Sequence, residues 1–264
     1  MHMKTIIINN LKTNYLQSSS FQAHGCKVFL HGWQSQAQHL SSILLMTDNY
    51  IALDLPGFGG SEQPTHAWSL AQYVDFLYTF FQALNIEEPI LVGHSFGGAL
   101  ALKYCSDYKD CQQAVLIAPA GIRKKGLKVS IYWVIAKIFK FLLKLSLIEV
   151  FRNQIRKMLY RLIDSRDYLE SGSMKAIYQK VIRADLSQAL AGIDIEVHLI
   201  WGRQDREYPL KYGLQMQALL EKSQLHVIDQ AGHFPWLDQP KKFKQIFTKL
   251  ISYDHQKFNS YSPK

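Results

Sequence analysis

The chain contains few cysteines, and their spacing is not typical of a disulfide framework or a zinc site. It has three in 264 residues, Cys26, Cys105 and Cys111, and no two of them form a Cys-x-x-Cys pair. An odd number without that spacing argues against both kinds of cross-link. We therefore expect buried or reduced thiols.

Long uninterrupted apolar runs are absent as well. Residues Met1–Asn10 have too short an apolar run for a secretory signal and no small-residue cleavage site, so we expect a cytoplasmic protein. The most apolar stretch, Val129–Ile148, is interrupted by Lys137, Lys140 and Lys144. Each lysine near the middle of a span costs about 2.5–3.5 kcal/mol, whereas each apolar residue returns about 0.3–0.6 kcal/mol. The lysine spacing instead predicts an amphipathic helix.

Acidic residues are fewer than basic ones, 21 against 30. Hydrophobic residues make up 48% of the chain and charged residues 19%, which excludes a disordered or collagen-like protein. A chain of this length can bury a large core and form one α/β domain with an insertion.

Short apolar runs alternate with helical patterns, as in a mostly parallel sheet flanked by helices. Eight strands are predicted, of which the first two form a hairpin around Asn9-Asn10: Lys4–Asn9, Asn14–Ser18, Cys26–Leu30, Tyr50–Leu53, Pro89–Val92, Gln113–Ala118, Glu196–Trp201 and Gln224–Ile228. Core helices are predicted at Gln38–Met46, Ser69–Leu84, Gly97–Ser106, Tyr208–Leu220 and Pro240–Tyr253.

The connection between Ala118 and Glu196 is far longer than a crossover requires. Its helical periodicity, first over 127–163 and then over 168–184, predicts an inserted helical cap over the carboxyl edge of the sheet. The predicted division is therefore a core of residues 1–120 and 190–264, with a cap of residues 121–189.

The basic excess of the chain lies almost entirely in this insertion. Residues 121–190 contain fifteen Lys and Arg against five Asp and Glu, and the rest of the chain has fifteen against sixteen. These charges either form the solvated faces of amphipathic helices or attract an anionic membrane surface or an acidic carrier. Nucleic acid is the less favoured partner, because no binding motif accompanies the basic residues.

Gly93-His94-Ser95-Phe96-Gly97 joins an apolar strand to a helix of small residues. A strand that turns sharply into a helix strains the residue at its apex and leaves little room for side chains two positions away. Gly93 and Gly97 satisfy that requirement, and Ser95 occupies the apex. The segment is predicted to be a nucleophile elbow, with the helix N-terminus favouring negative charge at the reacting group.

A serine nucleophile needs a base, and the base needs a group that orients it. Two later strands end in loops that supply these types: Asp205 follows Gly202-Arg203-Gln204, and His233 follows Gln230-Ala231-Gly232. We predict Asp205 as the acid and His233 as the base, with Asp229 as an alternative acid. His198 and His226 lie within strands, where a structural role is favoured.

Cleavage of an acyl bond also needs two N–H donors for the developing oxyanion. One is predicted from Phe96, directly after the nucleophile. The second is predicted from Trp33, because His31-Gly32-Trp33 follows a predicted strand and Gly32 lets the backbone approach closely.

Taken together, these segments resemble the α/β-hydrolase superfamily, in its branch that bears a cap. The resemblance covers nearly the whole core, in order along the chain: His31-Gly32-Trp33, Asp54-Leu55-Pro56-Gly57-Phe58-Gly59, Gly93-His94-Ser95-Phe96-Gly97-Gly98, Gly202-Arg203-Gln204-Asp205 and Ala231-Gly232-His233. It implies an α/β-hydrolase fold with an eight-stranded sheet. It also implies a structural turn at residues 54–59.

Members with serine at the elbow are similar to carboxylesterases, lipases, thioesterases, carbon–carbon hydrolases of meta-cleavage products and cofactor-free perhydrolases. Haloalkane dehalogenases and epoxide hydrolases have aspartate there, so Ser95 argues against both. The chain also resembles the methyl ester esterase that acts on carrier-bound pimeloyl groups, although that enzyme usually has tryptophan where His94 stands.

We therefore predict a serine hydrolase of the carboxylesterase kind, which needs neither a metal nor an organic cofactor. Its substrate is expected to be a small hydrophobic ester or acyl compound, because the cap contributes Tyr132, Trp133, Phe139 and Phe141. Those side chains could equally pack the cap onto the core. The alternatives are a thioesterase, a carbon–carbon hydrolase, or a non-catalytic binding module of this fold that uses its basic cap.

Overall fold

The computed structural model describes residues 2–122 and 172–252 of the chain. Within them, eight strands form one sheet: β1 (His2–Ile8), β2 (Leu11–Gln17), β3 (Lys27–Leu30), β4 (Tyr50–Leu53), β5 (Ile90–His94), β6 (Gln113–Ile117), β7 (Glu196–Gly202) and β8 (Ser223–Ile228). The spatial order is β1-β2-β4-β3-β5-β6-β7-β8. Strand β2 is antiparallel to both of its neighbours, and every other pair is parallel. The predicted mostly parallel, eight-stranded α/β sheet is confirmed.

The opening hairpin is longer than predicted. Asn9 and Asn10 have φ of 50° and 63°, as in the two-residue turns that match the twist of a hairpin. Such a turn pairs Ile8 directly with Leu11, so β2 begins at Leu11 rather than at Asn14.

Helices flank the sheet: α1 (Ser41–Leu44), α2 (Leu70–Ala83), α3 (Phe96–Asp107), α4 (Lys175–Val181), α5 (Ser187–Leu190), α6 (Lys211–Leu219), α7 (Pro235–Asp238) and α8 (Pro240–Ile251). Helix α2 begins after a capping box in which Ser69 and Gln72 satisfy each other's backbone N–H groups. The helix predicted at 38–46 is instead a 3₁₀ turn, Ala37–Leu40, followed by α1. The Asp54 carboxylate accepts the Ala37 N–H at 2.7 Å, which fixes the start of that turn.

The central strands are buried on both faces. Leu91 and Val92 are neighbours on β5, with side chains on opposite faces, and they are 0% and 2% exposed. Val92 belongs to a core cluster with Phe243 and Phe247 of α8. Strands covered on both sides appear in a sequence as continuous apolar runs, which explains why β5 was recognisable from sequence.

The chain divides into two compact units, one of residues 1–122 and 185–264 and the other of residues 123–184. Of the second unit, residues 172–184 are described, with a 3₁₀ turn at Gly172–Met174 that leads into α4. The four cap aromatics named above, the lysines Lys137, Lys140 and Lys144, and the helix predicted over 127–163 lie outside the described residues. No helix among those described is both long and apolar enough to cross a membrane.

Candidate active site

The turn from β5 into α3 holds Ser95 in an uncommon backbone conformation. Its φ is 50° and its ψ is −109°, which for a non-glycine residue costs about 1–3 kcal/mol. The Ser95 N–H donates to the Ile117 carbonyl at 3.0 Å, and the Ser95 carbonyl accepts from the N–H groups of Ala99 and Ala120. Hydrogen bonds to β6, to α3 and to the loop after β6 therefore hold the strained turn in place.

The two elbow glycines are required by close packing rather than by backbone angle, since neither has a positive φ. A Cβ on Gly93 would lie 2.6 Å from the Gly97 carbonyl oxygen. A Cβ on Gly97 would overlap the Leu30 carbonyl oxygen. Because Gly93 and Gly97 have no side chains, the end of β3 can pack against the elbow. The loop that carries Trp33 follows directly after that strand end.

Asp205 and His233 form a buried pair at the ends of β7 and β8. The His233 Nδ1–H donates to Asp205 Oδ2 at 2.8 Å, and the two side chains are 6% and 0% exposed. The other carboxylate oxygen of Asp205 accepts the Tyr208 N–H at 2.7 Å. The acid is thereby fixed at both oxygens, and neutral His233 is left with an unprotonated Nε2.

The Nε2 edge of His233 lies 3.6 Å from a carboxylate oxygen of Glu207, whose side chain is 58% exposed. No hydrogen bond between described residues joins the Ser95 hydroxyl to His233. Ser95 and His233 nevertheless lie at the same edge of the sheet, because the ring of His94, the residue before Ser95, is 4.7 Å from the His233 ring, centroid to centroid. Catalytic hydrogen bonds often tighten only once substrate is bound.

His31 sets the direction of the peptide between Gly32 and Trp33. The Leu55 N–H donates to His31 Nε2 at 3.0 Å, so Nδ1 carries the proton and donates to the Gly32 carbonyl at 2.7 Å. Burial lowers the pKa of His31 to about 4, which keeps it neutral. In a trans peptide the C=O and N–H point in opposite directions. Anchoring the Gly32 carbonyl therefore fixes the direction of the Trp33 N–H.

Phe96 is the first residue of α3, so its N–H has no acceptor within the helix. Its ring packs edge-on against Trp33, with 5.4 Å between centroids, and Phe58 contacts both rings. This aromatic cluster holds together the two segments that were predicted to supply the oxyanion donors.

The alternative acid, Asp229, is not the carboxylate that accepts the His233 Nδ1–H. It is paired with Arg203, whose guanidinium lowers the pKa of the Asp229 carboxyl. His198 contacts His226, Nδ1 to Nε2, at 3.4 Å, and both side chains lie on strands of the sheet. Asp54 accepts the Gly60 N–H within its own turn and the Ala37 N–H at the start of the 3₁₀ turn, as expected of a structural residue.

His94 and Glu207 both contact His233, and neither is predicted from the sequence to be part of the site. Glu207 follows Asp205 by two residues, and that proximity was the only available signal. His94 is 139 residues from its partner in the chain. Within residues 2–122 and 172–252, no group of three or more His, Cys, Asp or Glu side chains is arranged to hold a metal ion. All three cysteines are buried and free of disulfides.

The sheet order and the strained serine between strand and helix define a protein of the α/β-hydrolase class. A profile described as "Alpha/beta hydrolase family" matches residues 28–246, most of the chain. The chain belongs to this family of hydrolases, as its resemblance predicted.

Individual relatives of the chain differ in the reactions that they are named for. The 2-hydroxy-6-oxo-6-phenylhexa-2,4-dienoate hydrolase of Comamonas testosteroni is 26% identical over 243 residues, 84% of each chain. A bacterial membrane phospholipase A is similar in structure, with a TM-score of 0.74 and 20% identity over 96% of this chain and 87% of its own. The esterase of Exiguobacterium antarcticum has a TM-score of 0.71 and 19% identity, over 95% of this chain and 99% of its own. At such identities the two structures are evidence for the fold alone.

Proposed function

We propose that the protein is a serine hydrolase that cleaves a carboxylic ester or a related acyl bond. In this proposal Ser95 is the nucleophile, His233 the base and Asp205 the orienting acid. The Trp33 and Phe96 N–H groups stabilise the oxyanion.

The observation that carries the proposal is the Asp205–His233 hydrogen bond beside a strained serine. At 2.8 Å, the buried carboxylate fixes the His233 tautomer that has its lone pair on Nε2. Only that tautomer can take a proton from a serine hydroxyl while it remains bonded to Asp205. A binding protein would have no use for this arrangement next to residue 95.

The proposed reaction proceeds in two halves. Ser95 Oγ attacks the carbonyl carbon and passes its proton to His233 Nε2, while the carbonyl oxygen becomes the oxyanion. His233 then gives that proton to the leaving oxygen as the bond to it breaks, which forms an acyl-Ser95. Water attacks the acyl carbon, loses a proton to His233 and releases the acid, and the proton returns to Ser95.

The experiment compares wild type with Ser95→Ala on p-nitrophenyl esters of increasing chain length. A fluorophosphonate probe, which reacts only with an activated serine, is applied to both. We expect turnover and labelling in the wild type and neither in the variant, at an unchanged unfolding temperature. Hydrolysis retained by Ser95→Ala would refute the proposal, and an unlabelled wild type would favour the binding module.

Carbon–carbon bond cleavage is the second candidate, because the relative from Comamonas testosteroni is named for such a hydrolysis and aligns over 84% of the chain. Both reactions would use the same residues. A vinylogous 1,5-diketone of the meta-cleavage type, assayed in parallel with the esters, separates them by the ratio of kcat/KM values.

A further inference from the structure

His94 precedes Ser95 and makes a long-range hydrogen bond to the opposite side of the site. Its Nε2 lies 3.1 Å from the backbone carbonyl oxygen of His233, and its side chain is buried. The two rings are 4.7 Å apart, and Trp236 packs edge-on against His94 at 4.8 Å. A side chain from the elbow is thus bonded to the main chain of the residue proposed as the base.

The chemistry of this contact fixes the form of His94. A carbonyl oxygen can only accept, so Nε2 must carry the proton and donate it. Burial holds the pKa of His94 well below its ordinary value, so the ring is neutral and has its lone pair on Nδ1. Nδ1 faces Gly32, where an added Cβ would lie only 2.9 Å away.

His94 therefore connects three segments at the carboxyl edge of the sheet, its own and two others. It belongs to the end of β5, it fills the space over Gly32 after β3, and it bonds the loop after β8. Each loop carries one part of the proposed machinery: the nucleophile, an oxyanion donor and the base.

We propose that His94 is a positioning residue: its Nε2–H holds the His233 backbone at the distance from Ser95 that proton transfer needs. This inference rests on the proposed function. His94 touches neither substrate nor the transferred proton. It acts by fixing the main chain from which the base projects, where a misplacement of about 1 Å can cost on the order of 100-fold in rate.

The chain offers a matched pair of variants. In His94→Gln, the amide nitrogen sits about where Nε2 was and can still donate to the His233 carbonyl. In His94→Asn, the shorter side chain places its amide near the old Nδ1 position, against Gly32, and cannot reach that carbonyl. Both variants are neutral and polar, so they differ mainly in reach. His226→Asn, a histidine on β8 that contacts His198, serves as the control.

We expect His94→Asn to lower kcat and the rate of fluorophosphonate labelling by about 10- to 100-fold, with KM changed less than about twofold. His94→Gln should lose no more than about threefold, and His226→Asn should retain the wild-type kinetics. Equal losses in Asn and Gln, or none in Asn, would contradict the positioning role.

A measurement on the wild type covers the case in which a variant fails to fold. Nitrogen-15 NMR of the histidine rings should show residue 94 as the neutral Nε2–H tautomer, with a proton slow to exchange with solvent. An Nδ1–H tautomer or an imidazolium at neutral pH would overturn the inference. If the wild type neither labels nor hydrolyses, the proposed function itself fails. A labelled wild type with an equally fast His94→Asn refutes the positioning role alone.

Discussion

The sheet carries two histidine pairs, each with a carboxylate, and their surroundings differ. At the strand ends, His233 bonds Asp205 at 2.8 Å and its ring lies 4.7 Å from that of His94. Within the strands, His198 lies 3.2 Å from Glu196, and its ring lies 5.5 Å from that of His226. By residue type alone, the two clusters are hardly distinguishable.

What separates them is how the carboxylate is held. Asp205 is 0% exposed and accepts a second hydrogen bond from the Tyr208 backbone. The Glu196 side chain is 42% exposed, so water competes for it. The strand-end pair also lies at the same sheet edge as Ser95, whereas His198 and His226 lie in the middle of β7 and β8. Position relative to the strand ends, rather than composition, therefore distinguishes the cluster to which we assign the proposed chemistry.

The largest expected effect comes from removing the charge of Asp205. Removing the charge of Glu196 in the other cluster is the matched comparison. Asp205→Asn should lower kcat on p-nitrophenyl esters by about 10⁴-fold, because an amide that donates to Nδ1 imposes the wrong tautomer on His233; the magnitude follows the serine-protease template. Glu196→Gln should leave kcat unchanged. Steady-state kinetics at one pH measure both, and similar losses in the two variants would remove the distinction between the clusters.

The second comparison is between Gly97 and Gly192, which differ in the space available for an added methyl group. Gly97→Ala drives a Cβ into the Leu30 carbonyl oxygen and should cost about 1–3 kcal/mol of unfolding free energy together with most of the activity. Gly192→Ala is the control, because its Cβ would meet only the Ala189 carbonyl at 3.6 Å and its φ is not positive. Urea unfolding of both variants provides the measurement. A tolerated Gly97→Ala would show that the elbow can relax.

Acidification should lower the free energy of unfolding through His31, the residue directly after β3. Its pKa is about 4 in the fold against 6.5 ordinarily, so the unfolded chain binds a proton first as the pH falls below 6.5. Stability is therefore lost as the pH falls from about 6.5 towards 4. His31→Gln should lessen the loss between pH 6.5 and 5.0 by on the order of 2 kcal/mol. Urea unfolding at the two pH values tests this, and parallel losses in variant and wild type would argue against a buried, neutral His31.

The smallest effect is expected in the mid-strand cluster. Glu196→Gln should change the unfolding free energy by less than about 1 kcal/mol. Burial lowers the pKa of His198, so its ring is neutral at pH 7.5 and forms no ion pair with the half-exposed Glu196. Thermal unfolding at pH 7.5 is sufficient to measure it. A larger loss would mean that Glu196 is as firmly held as Asp205.

The sequence predicted this region unevenly, for physical reasons. Local signals, namely Gly-x-Ser-x-Gly and glycine loops after apolar strands, single out Ser95, Asp205 and His233 as candidates, because backbone geometry restricts which residues fit there. In the structure, Asp205 and His233 share a hydrogen bond and Ser95 is strained. The hydrogen bond from His94 to the His233 carbonyl could not be predicted from the sequence, because it joins a side chain to a backbone group 139 residues away. The start of β2 was missed because it follows from the φ values of Asn9 and Asn10 rather than from hydrophobic alternation.

The positive φ of residue 95 is better suited to glycine than to serine. Glycine would adopt its backbone angles without penalty, so the protein forgoes stability by having a serine at that point. A Ser95→Gly variant, which would be inert under the proposed function, should accordingly withstand heating better than the natural chain. With no hydroxyl to attack it, a bound substrate would stay whole on such a variant long enough for its pose to be determined.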